Sequence, residues 1–282
     1  MFPKPFTYHR PTSVDQAVAL MAKYGDTAAP YAGGTELLLA MKMGFAQFDQ
    51  LIDLKRLPEL RAIDRDHVFL SVGALATHAE IASNETVQEF LPSLAKLCNE
   101  IANPRVRASG TVGGNLCFAE PRADPPTLLA ALDAQLVLLS TNEERLVSAR
   151  EFITGALDTL RRPDELLLRI EIPYNARAVR YERIVFGHRT VAGAAAALGA
   201  TVEPARIWVG GVAMRPAPLP ETEALLASDP DVLNDGAVRE AVARDIAALD
   251  VAGDEDASAD YRRHLAETVA RRAIAGCREG VS

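Results

Sequence analysis

The spacing of apolar residues predicts that the chain begins with alternating strands and helices. A capping box formed by Ser13 and Gln16 precedes an apolar stripe at helical spacing, and Gly25 follows it as a stop signal. The predicted elements are strands at 6–8, 28–31 and 51–54 and helices at 13–24 and 37–43. This order predicts a small β-α-β lobe over residues 1–59.

A second pattern follows, in which strands and helices are mixed. Val68, Leu70 and Val72 alternate with polar residues as in a half-buried strand, and Thr77 with Glu80 forms a second capping box. The other predicted features are a helical stripe at 94–101, a glycine-rich loop at 109–115, a helix start at 124–126, and strands at 135–140 and 166–172. Residues 60–176 are therefore expected to form a second, mixed α+β lobe.

The remaining residues, 177–282, differ in composition and in the pattern of predicted elements. An alanine-rich stretch precedes a predicted strand at 207–212, a proline-broken loop at 216–220 and two helical segments. This order predicts a third, small α+β domain. The fold class expected for the whole chain is α+β.

Composition narrows the range of functions. The 282 residues carry a formal net charge of -8 without a basic stripe, so nucleic acid is a poor partner. No stretch reaches the roughly 20 apolar residues of a membrane span, and residues 1–10 lack the apolar core of a signal peptide. A cytoplasmic protein is therefore expected.

Cysteine and histidine usage argues against metal chemistry in this chain. The sequence has three widely spaced cysteines, whereas a [2Fe-2S] cluster needs about four thiolate ligands. The five histidines show no metal-ligand spacing. We therefore expect no metal site here, and the cysteines are expected to fill apolar spaces.

Two glycine-rich segments are the candidate binding elements. The first glycine segment is Tyr31-Ala32-Gly33-Gly34-Thr35-Glu36, and the second is Ser109-Gly110-Thr111-Val112-Gly113-Gly114-Asn115. Each pairs glycines with a hydroxyl residue, so each could form a nest of N–H groups around a phosphate. Neither fits the Rossmann or the P-loop fingerprint. We expect both segments to converge on one diphosphate, although glycine pairs are also common in simple turns.

These segments, with Leu37, Val72-Gly73-Ala74 and Ala123-Asp124, resemble the FAD-binding medium subunits of molybdenum hydroxylases, the family of carbon monoxide and xanthine dehydrogenases. The resemblance spans nearly the full chain. It implies a two-lobed PCMH-type FAD-binding domain followed by a small α+β domain. It also implies that FAD is the cofactor of this chain.

The resemblance implies a set of cofactor contacts. Ile101 and Leu167 would be apolar contacts, Asp124 would accept from cofactor hydroxyls, and Arg183 stands where a lysine is more usual. The cofactor-binding residues expected are Ala32, Gly33, Gly34, Thr35, Glu36, Leu37, Ile101, Thr111, Val112, Gly113, Gly114, Asn115, Asp124, Leu167 and Arg183. Asp124 could also be the N-cap of the helix beginning at Pro125 or Pro126, and it could do both.

Leu167 also has support from the strand pattern. In the strand at 166–172, Leu167 shares a face with Arg169 and Glu171, so it would need an apolar partner there. A flavin ring could supply that partner, although single exposed leucines are common.

The family further implies the partners and the chemistry. A large subunit would hold the molybdenum cofactor, and a small subunit would carry [2Fe-2S] clusters that pass electrons to FAD, in a dimer of heterotrimers. An external acceptor would then be reduced, and no residue of this chain is expected to be catalytic. The substrate, the acceptor and the role of the His188-Arg189 segment stay open.

Two other functions are compatible with the sequence. The first is a stand-alone FAD-dependent oxidoreductase of the vanillyl-alcohol oxidase or enolpyruvyl-glucosamine reductase type. The second is a non-catalytic scaffold whose glycine pairs are simple turns. Turnover by the isolated chain would favour the first, and failure to take up FAD would favour the second.

Overall fold

The computed structural model describes residues 4–174, 176–187, 189–199, 205–228 and 235–279. Its first region contains a three-stranded parallel sheet in the order β1-β3-β2. The elements are β1 (Thr7–His9), α1 (Val14–Tyr24), β2 (Ala28–Tyr31), α2 (Leu37–Met43) and β3 (Gln50–Asp53). This is the β-α-β pattern that the sequence predicts.

Local sequence fixes both helices of this region. The Ser13 side chain accepts a hydrogen bond from the Gln16 N–H and begins α1, but the Gln16 side chain accepts from Thr12 rather than from Ser13. The expected capping box is therefore only half formed. Gly44 ends α2 in the left-handed region, at φ +83°, where glycine meets no Cβ penalty.

The second region contains a five-stranded sheet in the order β4-β5-β10-β6-β7, paired antiparallel throughout. A two-stranded pair, β8-β9, lies beside it. The strands are β4 (Ile63–Arg65), β5 (Phe69–Gly73), β6 (Gln135–Leu139), β7 (Glu144–Ser148), β8 (Ile153–Gly155), β9 (Asp158–Thr159) and β10 (Leu166–Pro173), and the helices are α3 (His78–Ser83), α4 (Glu85–Phe90), α5 (Pro92–Glu100), α6 (Pro104–Ser109), α7 (Val112–Phe118), α8 (Pro125–Ala131) and α9 (Ala149–Phe152).

Helices of this region pack their apolar sides onto the sheet and form the largest core of the molecule. The capping box at α3 is confirmed: the Glu80 N–H donates to the Thr77 hydroxyl, and the Thr77 N–H donates to the Glu80 carboxylate at 2.7 Å. Val68 was expected to lie on the buried face of a strand, but it precedes β5 and is 65% exposed. Leu70 and Val72 are buried as predicted.

The third region contains a four-stranded antiparallel sheet in the order β11-β12-β13-β14. The elements are β11 (Ala176–Phe186), β12 (Arg189–Gly199), β13 (Arg206–Gly210), β14 (Ala217–Pro218), α10 (Pro220–Ser228), α11 (Asp235–Ala247) and α12 (Ala259–Glu279). The described residues after the proline-rich loop form three helices, where the sequence pattern predicts two.

The alanine-rich stretch is strand β12, and both of its faces are buried. Ala195 and Ala197 belong to the main core, while Ala194 and Ala196 belong to a second core that includes α12. Small side chains let helices approach a sheet closely on both sides, which explains why alanine replaces the larger apolar residues usual in strands. This strand therefore joins the second and third regions.

The α+β class predicted from the sequence is confirmed. All three cysteines are free, and Cys98 and Cys277 are buried in the two large cores, as expected. In the part of the chain that the structure describes, no helix is long and apolar enough to cross a membrane.

Core packing in the second region gives a stability prediction. Phe152 is 1% exposed in the main core, and replacing it by alanine should leave a cavity that lowers the free energy of unfolding by about 3–5 kcal/mol. Urea unfolding followed by circular dichroism measures this loss. Phe45, which is 79% exposed, is the matched control, and Phe45→Ala should change stability by less than about 0.5 kcal/mol. Equal losses in both variants would contradict the packing described.

Candidate functional site

The two glycine segments meet, although they lie about eighty positions apart in the sequence. A Cβ atom on Gly33 would overlap the Ser109 carbonyl, and one on Gly110 would lie 3.4 Å from the Thr35 hydroxyl oxygen. A Cβ on Gly114 would lie 4.0 Å from that of Ala32. The expectation that the segments converge in space is therefore confirmed.

The first glycine segment presents unused hydrogen-bond donors. Gly34 has φ +72°, a conformation that glycine adopts without strain. Within the described residues, no protein acceptor receives the N–H groups of Gly33, Gly34, Thr35 or Glu36, and the Thr35 hydroxyl has no partner. Successive free N–H groups before a helix suit an anion such as a phosphate.

The second glycine segment does not form the expected loop or nest. Residues 112–115 open helix α7, and Thr111 caps it by accepting from the Gly114 N–H at 3.1 Å. The N–H groups of Val112 and Gly113 donate to carbonyls of residues 76 and 74. The reason is tertiary: a Cβ on Gly113 would lie 2.6 Å from that of Ala74, so Gly113 serves close packing.

The second segment offers a hydrogen-bond acceptor in the side chain of Asn115. Its side-chain oxygen is buried and has no hydrogen-bond partner among the described residues. A buried acceptor without a donor is costly, and a ligand that carries hydroxyl groups would satisfy it. FAD carries both a diphosphate and hydroxyl groups, so the free donors of the first segment and this acceptor fit it.

Carboxylates flank the meeting point. The pKa of Glu36 lies above its ordinary value, first because burial desolvates its carboxyl group and second because Glu120 lies nearby. The residue as a whole is exposed, so water still screens the repulsion. Glu36 thus contributes its backbone N–H to the site, while its side-chain charge opposes an anion.

His78 lies beneath the junction of the two segments. Its backbone N–H donates to the Gly110 carbonyl at 3.1 Å, and its ring Cδ2 would lie 3.4 Å from a Cβ placed on Gly110. The side chain is buried, its Nδ1 has no partner among the described residues, and burial lowers its pKa to about 4. The imidazole is therefore neutral at physiological pH.

A second group of expected site residues forms around Asp124. The Arg183 guanidinium donates to one Asp124 oxygen at 2.5 Å, and Tyr181 and Thr190 donate to the other at 2.6 and 2.8 Å. Because the carboxylate faces these three donors, it does not cap α8, and that part of the prediction is wrong. Burial and the Asp124 charge raise the pKa of Tyr181 well above its ordinary value.

The contacts of this group join four elements: α5, α8, β11 and β12. Arg183 also donates to the carbonyl of Glu100, the residue before Ile101, at 2.5 Å. Ile101 thus lies beside the Asp124 group at the end of α5, partly buried against the main core. Sequence reasoning missed Tyr181 and Thr190. Tyr181 could have been found, since it lies two positions before Arg183 on the same face of a strand.

The strand argument for Leu167 is wrong. A register shift between Leu167 and Arg169 interrupts the alternation of β10. Leu167 consequently lies in the main core and is only 5% exposed, so packed protein atoms already cover it. The contact with FAD that the family resemblance implies for Leu167 stays a prediction.

The segment whose role was left open is only partly described. His188 lies outside the described residues. Arg189 begins β12 and lies 3.6 Å from carboxylate oxygens of Glu255 and Asp256. These pairs are solvent-exposed, so they add little stability.

Two protein-family models match the chain. Residues 4–175 match the FAD-binding domain in molybdopterin dehydrogenase, and residues 188–276 match the C-terminal domain of CO dehydrogenase flavoprotein. The first model contains both glycine segments, and the second contains most of the third region.

Individual proteins show the same relationship. The carbon monoxide dehydrogenase medium chain of Hydrogenophaga pseudoflava is 35% identical over 97% of both chains. The caffeine dehydrogenase subunit beta of Pseudomonas sp. (strain CBB1) is 32% identical over 98% of this chain and 95% of that one. Solved structures of carbon monoxide dehydrogenase from H. pseudoflava and quinoline 2-oxidoreductase from Pseudomonas putida 86 each superpose with a TM-score of 0.92 over 99% of both chains, at 35% and 29% identity.

The buried histidine predicts how the stability of the chain depends on pH. Burial lowers the pKa of His78 from 6.5 to about 4. As the pH falls below 6.5, His78 is protonated in the unfolded chain but stays neutral in the folded chain. The contribution of this histidine to the free energy of unfolding is therefore complete above pH 6.5 and is lost as the pH falls toward 4. The total loss is roughly 3 kcal/mol.

Urea unfolding between pH 4 and pH 7.5 tests this dependence. The variant His78→Leu should lose this part of the pH dependence, whereas His67→Leu, at an exposed histidine, should keep it. An identical pH profile for the wild type and His78→Leu would show that another group causes the acid sensitivity.

Proposed function

We propose, from the premise that this chain belongs to the family of FAD-binding subunits of molybdenum-containing dehydrogenases, that it carries electrons from a partner subunit to an external acceptor. The chain is an oxidoreductase subunit and FAD is its cofactor. The finer proposal is that the electrons arrive from [2Fe-2S] clusters held by that partner.

The meeting of the two glycine segments carries this proposal. The first segment offers free N–H groups, and Asn115 of the second offers a buried acceptor without a partner among the described residues. A diphosphate with attached hydroxyl-bearing sugars requires both kinds of group in one place. We therefore assign the FAD diphosphate to this junction, between the segments 32–37 and 111–115.

The residues of this chain bind and orient; none is proposed to transfer a proton. Bound FAD supplies the capacity to accept and release electrons one at a time. Gly33 to Glu36 would donate to phosphate oxygens, and the Thr35 hydroxyl would add a further donor. Close packing of Gly33 on the Ser109 carbonyl leaves no room for a side chain between the two segments.

We propose that the Asp124 group binds a part of FAD away from the diphosphate. Asp124 is held by three donors, which leaves one position on its second oxygen open to a cofactor hydroxyl. Arg183 neutralises the carboxylate, and Ile101 offers an apolar edge beside it. An arginine suits this place because its fork contacts Asp124 and the Glu100 carbonyl together.

The relatives are medium chains and beta subunits, so they belong to multi-subunit complexes. We propose that this chain assembles with a large subunit that holds the molybdenum cofactor and a small subunit that holds the [2Fe-2S] clusters, in a dimer of heterotrimers. We further propose that its three regions, 1–59, 60–176 and 177–282, are the two FAD-binding lobes and a C-terminal domain. The cytoplasmic location expected from the sequence stays a prediction.

Affinity purification of the tagged chain from its source cells tests the assembly. We expect a yellow complex containing a large and a small partner chain, with molybdenum and iron in the partners. The flavin should be bleached by the substrate of the complex only while the partners are present. Turnover of a small substrate by the isolated yellow chain would instead identify a stand-alone oxidoreductase. A colourless chain that does not bind FAD would identify a scaffold.

The junction of the segments 32–37 and 111–115, called the cofactor cradle below, can be tested at Gly114. This residue is exposed, and a side chain placed there would meet only the Thr111 hydroxyl and then Ala32 across the junction. Gly114→Val should therefore fill the space between the segments and weaken FAD binding about tenfold or more. Fluorescence titration of the apoprotein with FAD measures the dissociation constant.

The matched control for this test is Gly155→Val, since a Cβ on Gly155 would meet nothing within 4 Å. That variant should bind FAD like the wild type. Circular dichroism of both apoproteins checks that the fold is kept. Unchanged FAD affinity in a folded Gly114→Val protein would refute the two-segment cradle.

A further inference from the structure

A cluster of aromatic and charged side chains adjoins the first glycine segment, and the cradle described above does not use it. Tyr31 and Asp53 are paired residues at the carboxyl ends of β2 and β3, and Tyr8 and Lys55 complete the cluster. Ligand crevices of parallel sheets lie at the carboxyl ends of the strands. The cluster is therefore on the edge of the small sheet where a cofactor would bind.

Asp53 fixes the position of the Lys55 ammonium group. The Asp53 side chain is 6% exposed, and one of its oxygens accepts from the Tyr8 hydroxyl at 2.5 Å. The other oxygen accepts from the Lys55 N–H at 3.1 Å and lies 2.6 Å from Lys55 Nζ. A half-exposed lysine is thus bound at both its backbone and its tip.

The fixed ammonium group lies on the ring of Tyr31. Lys55 Nζ is 3.5 Å from the ring centroid, within the range of a cation–π interaction, and the Tyr8 ring packs edge-on at 6.1 Å. The Tyr31 ring in turn touches the Cα of Gly34 so closely that a Cβ there would overlap it. The ring therefore supports Gly34, the residue with positive φ in the first glycine segment.

We propose that Lys55 is a positioning residue for FAD binding: anchored by Asp53, it holds the Tyr31 ring against Gly34 and thereby keeps the first glycine segment in the conformation that receives the diphosphate. The inference rests on the proposed function, since it concerns the same cradle. Lys55 acts through Tyr31 rather than by touching the cofactor. Because the Lys55 ammonium group holds the Tyr31 ring, the conformation of the cradle depends on a charge that lies outside it.

Substitution of Lys55 tests the proposal on the full-length chain. Lys55→Met keeps the aliphatic stem and removes the charge, so the FAD dissociation constant should rise roughly three- to tenfold, mainly through faster release. Lys55→Arg should restore near wild-type affinity, because a guanidinium can pair with a carboxylate and stack on an aromatic ring. Fluorescence titration and the rate of FAD release give these quantities.

Lys23 offers a matched control in the same lobe. Its Nζ lies 4.9 Å from the Tyr24 ring centroid, and Lys23 is in α1, outside both glycine segments. Lys23→Met should leave FAD affinity unchanged. Wild-type affinity in Lys55→Met, or an equal loss in Lys23→Met, would overturn the proposal, and so would failure of Lys55→Arg to restore binding.

A second pair of variants decides the matter if Lys55→Met does not fold. Tyr31→Phe keeps the ring and should bind FAD normally, whereas Tyr31→Leu removes it and should release FAD faster. Equal affinity of these two variants would overturn the proposal. A wild-type chain that binds no FAD would instead refute the proposed function, so the two failures are distinguishable.

Discussion

The contact between Gly33 and the backbone of Ser109 and Gly110 is the constraint on which the site depends. It brings the segment that follows β2 against a segment that precedes α7, so that Gly33 has no room for a Cβ. Without that approach, the free N–H groups of the first segment and the buried oxygen of Asn115 would belong to separate surfaces. With it, the two segments that carry these donors and this acceptor lie in contact.

The two segments contribute in different ways to this space. The first is held open, with donors that no described protein group uses, and the Tyr31 ring supports it from behind. The second is closed onto the larger lobe, because its N–H groups bind carbonyls of residues 74 and 76. One segment therefore offers donors suited to an anion, and the other forms a wall packed against the larger lobe. Rigid support is what a binding site needs to keep its donors aligned.

The need to neutralise and hydrogen-bond a buried carboxylate explains why three donors surround Asp124. Asp124 is 6% exposed, and a buried carboxylate is stable only when it is paired and hydrogen-bonded. Arg183, Tyr181 and Thr190 meet that need from strands of the third region. The same bonds fix the third region against the larger lobe.

Sequence patterns by themselves determined the element order of the first lobe, the capping box at Thr77, the α+β class and the two glycine segments, because propensity, capping and periodicity are local properties. The tertiary structure decided what those segments do. Whether Gly113 is a phosphate ligand or a packing contact depends on Ala74, which is distant in sequence. The bulge that buries Leu167 and the pairing of Asp124 with Arg183 likewise arise from neighbouring strands, and a periodic pattern within one segment contains no information about them.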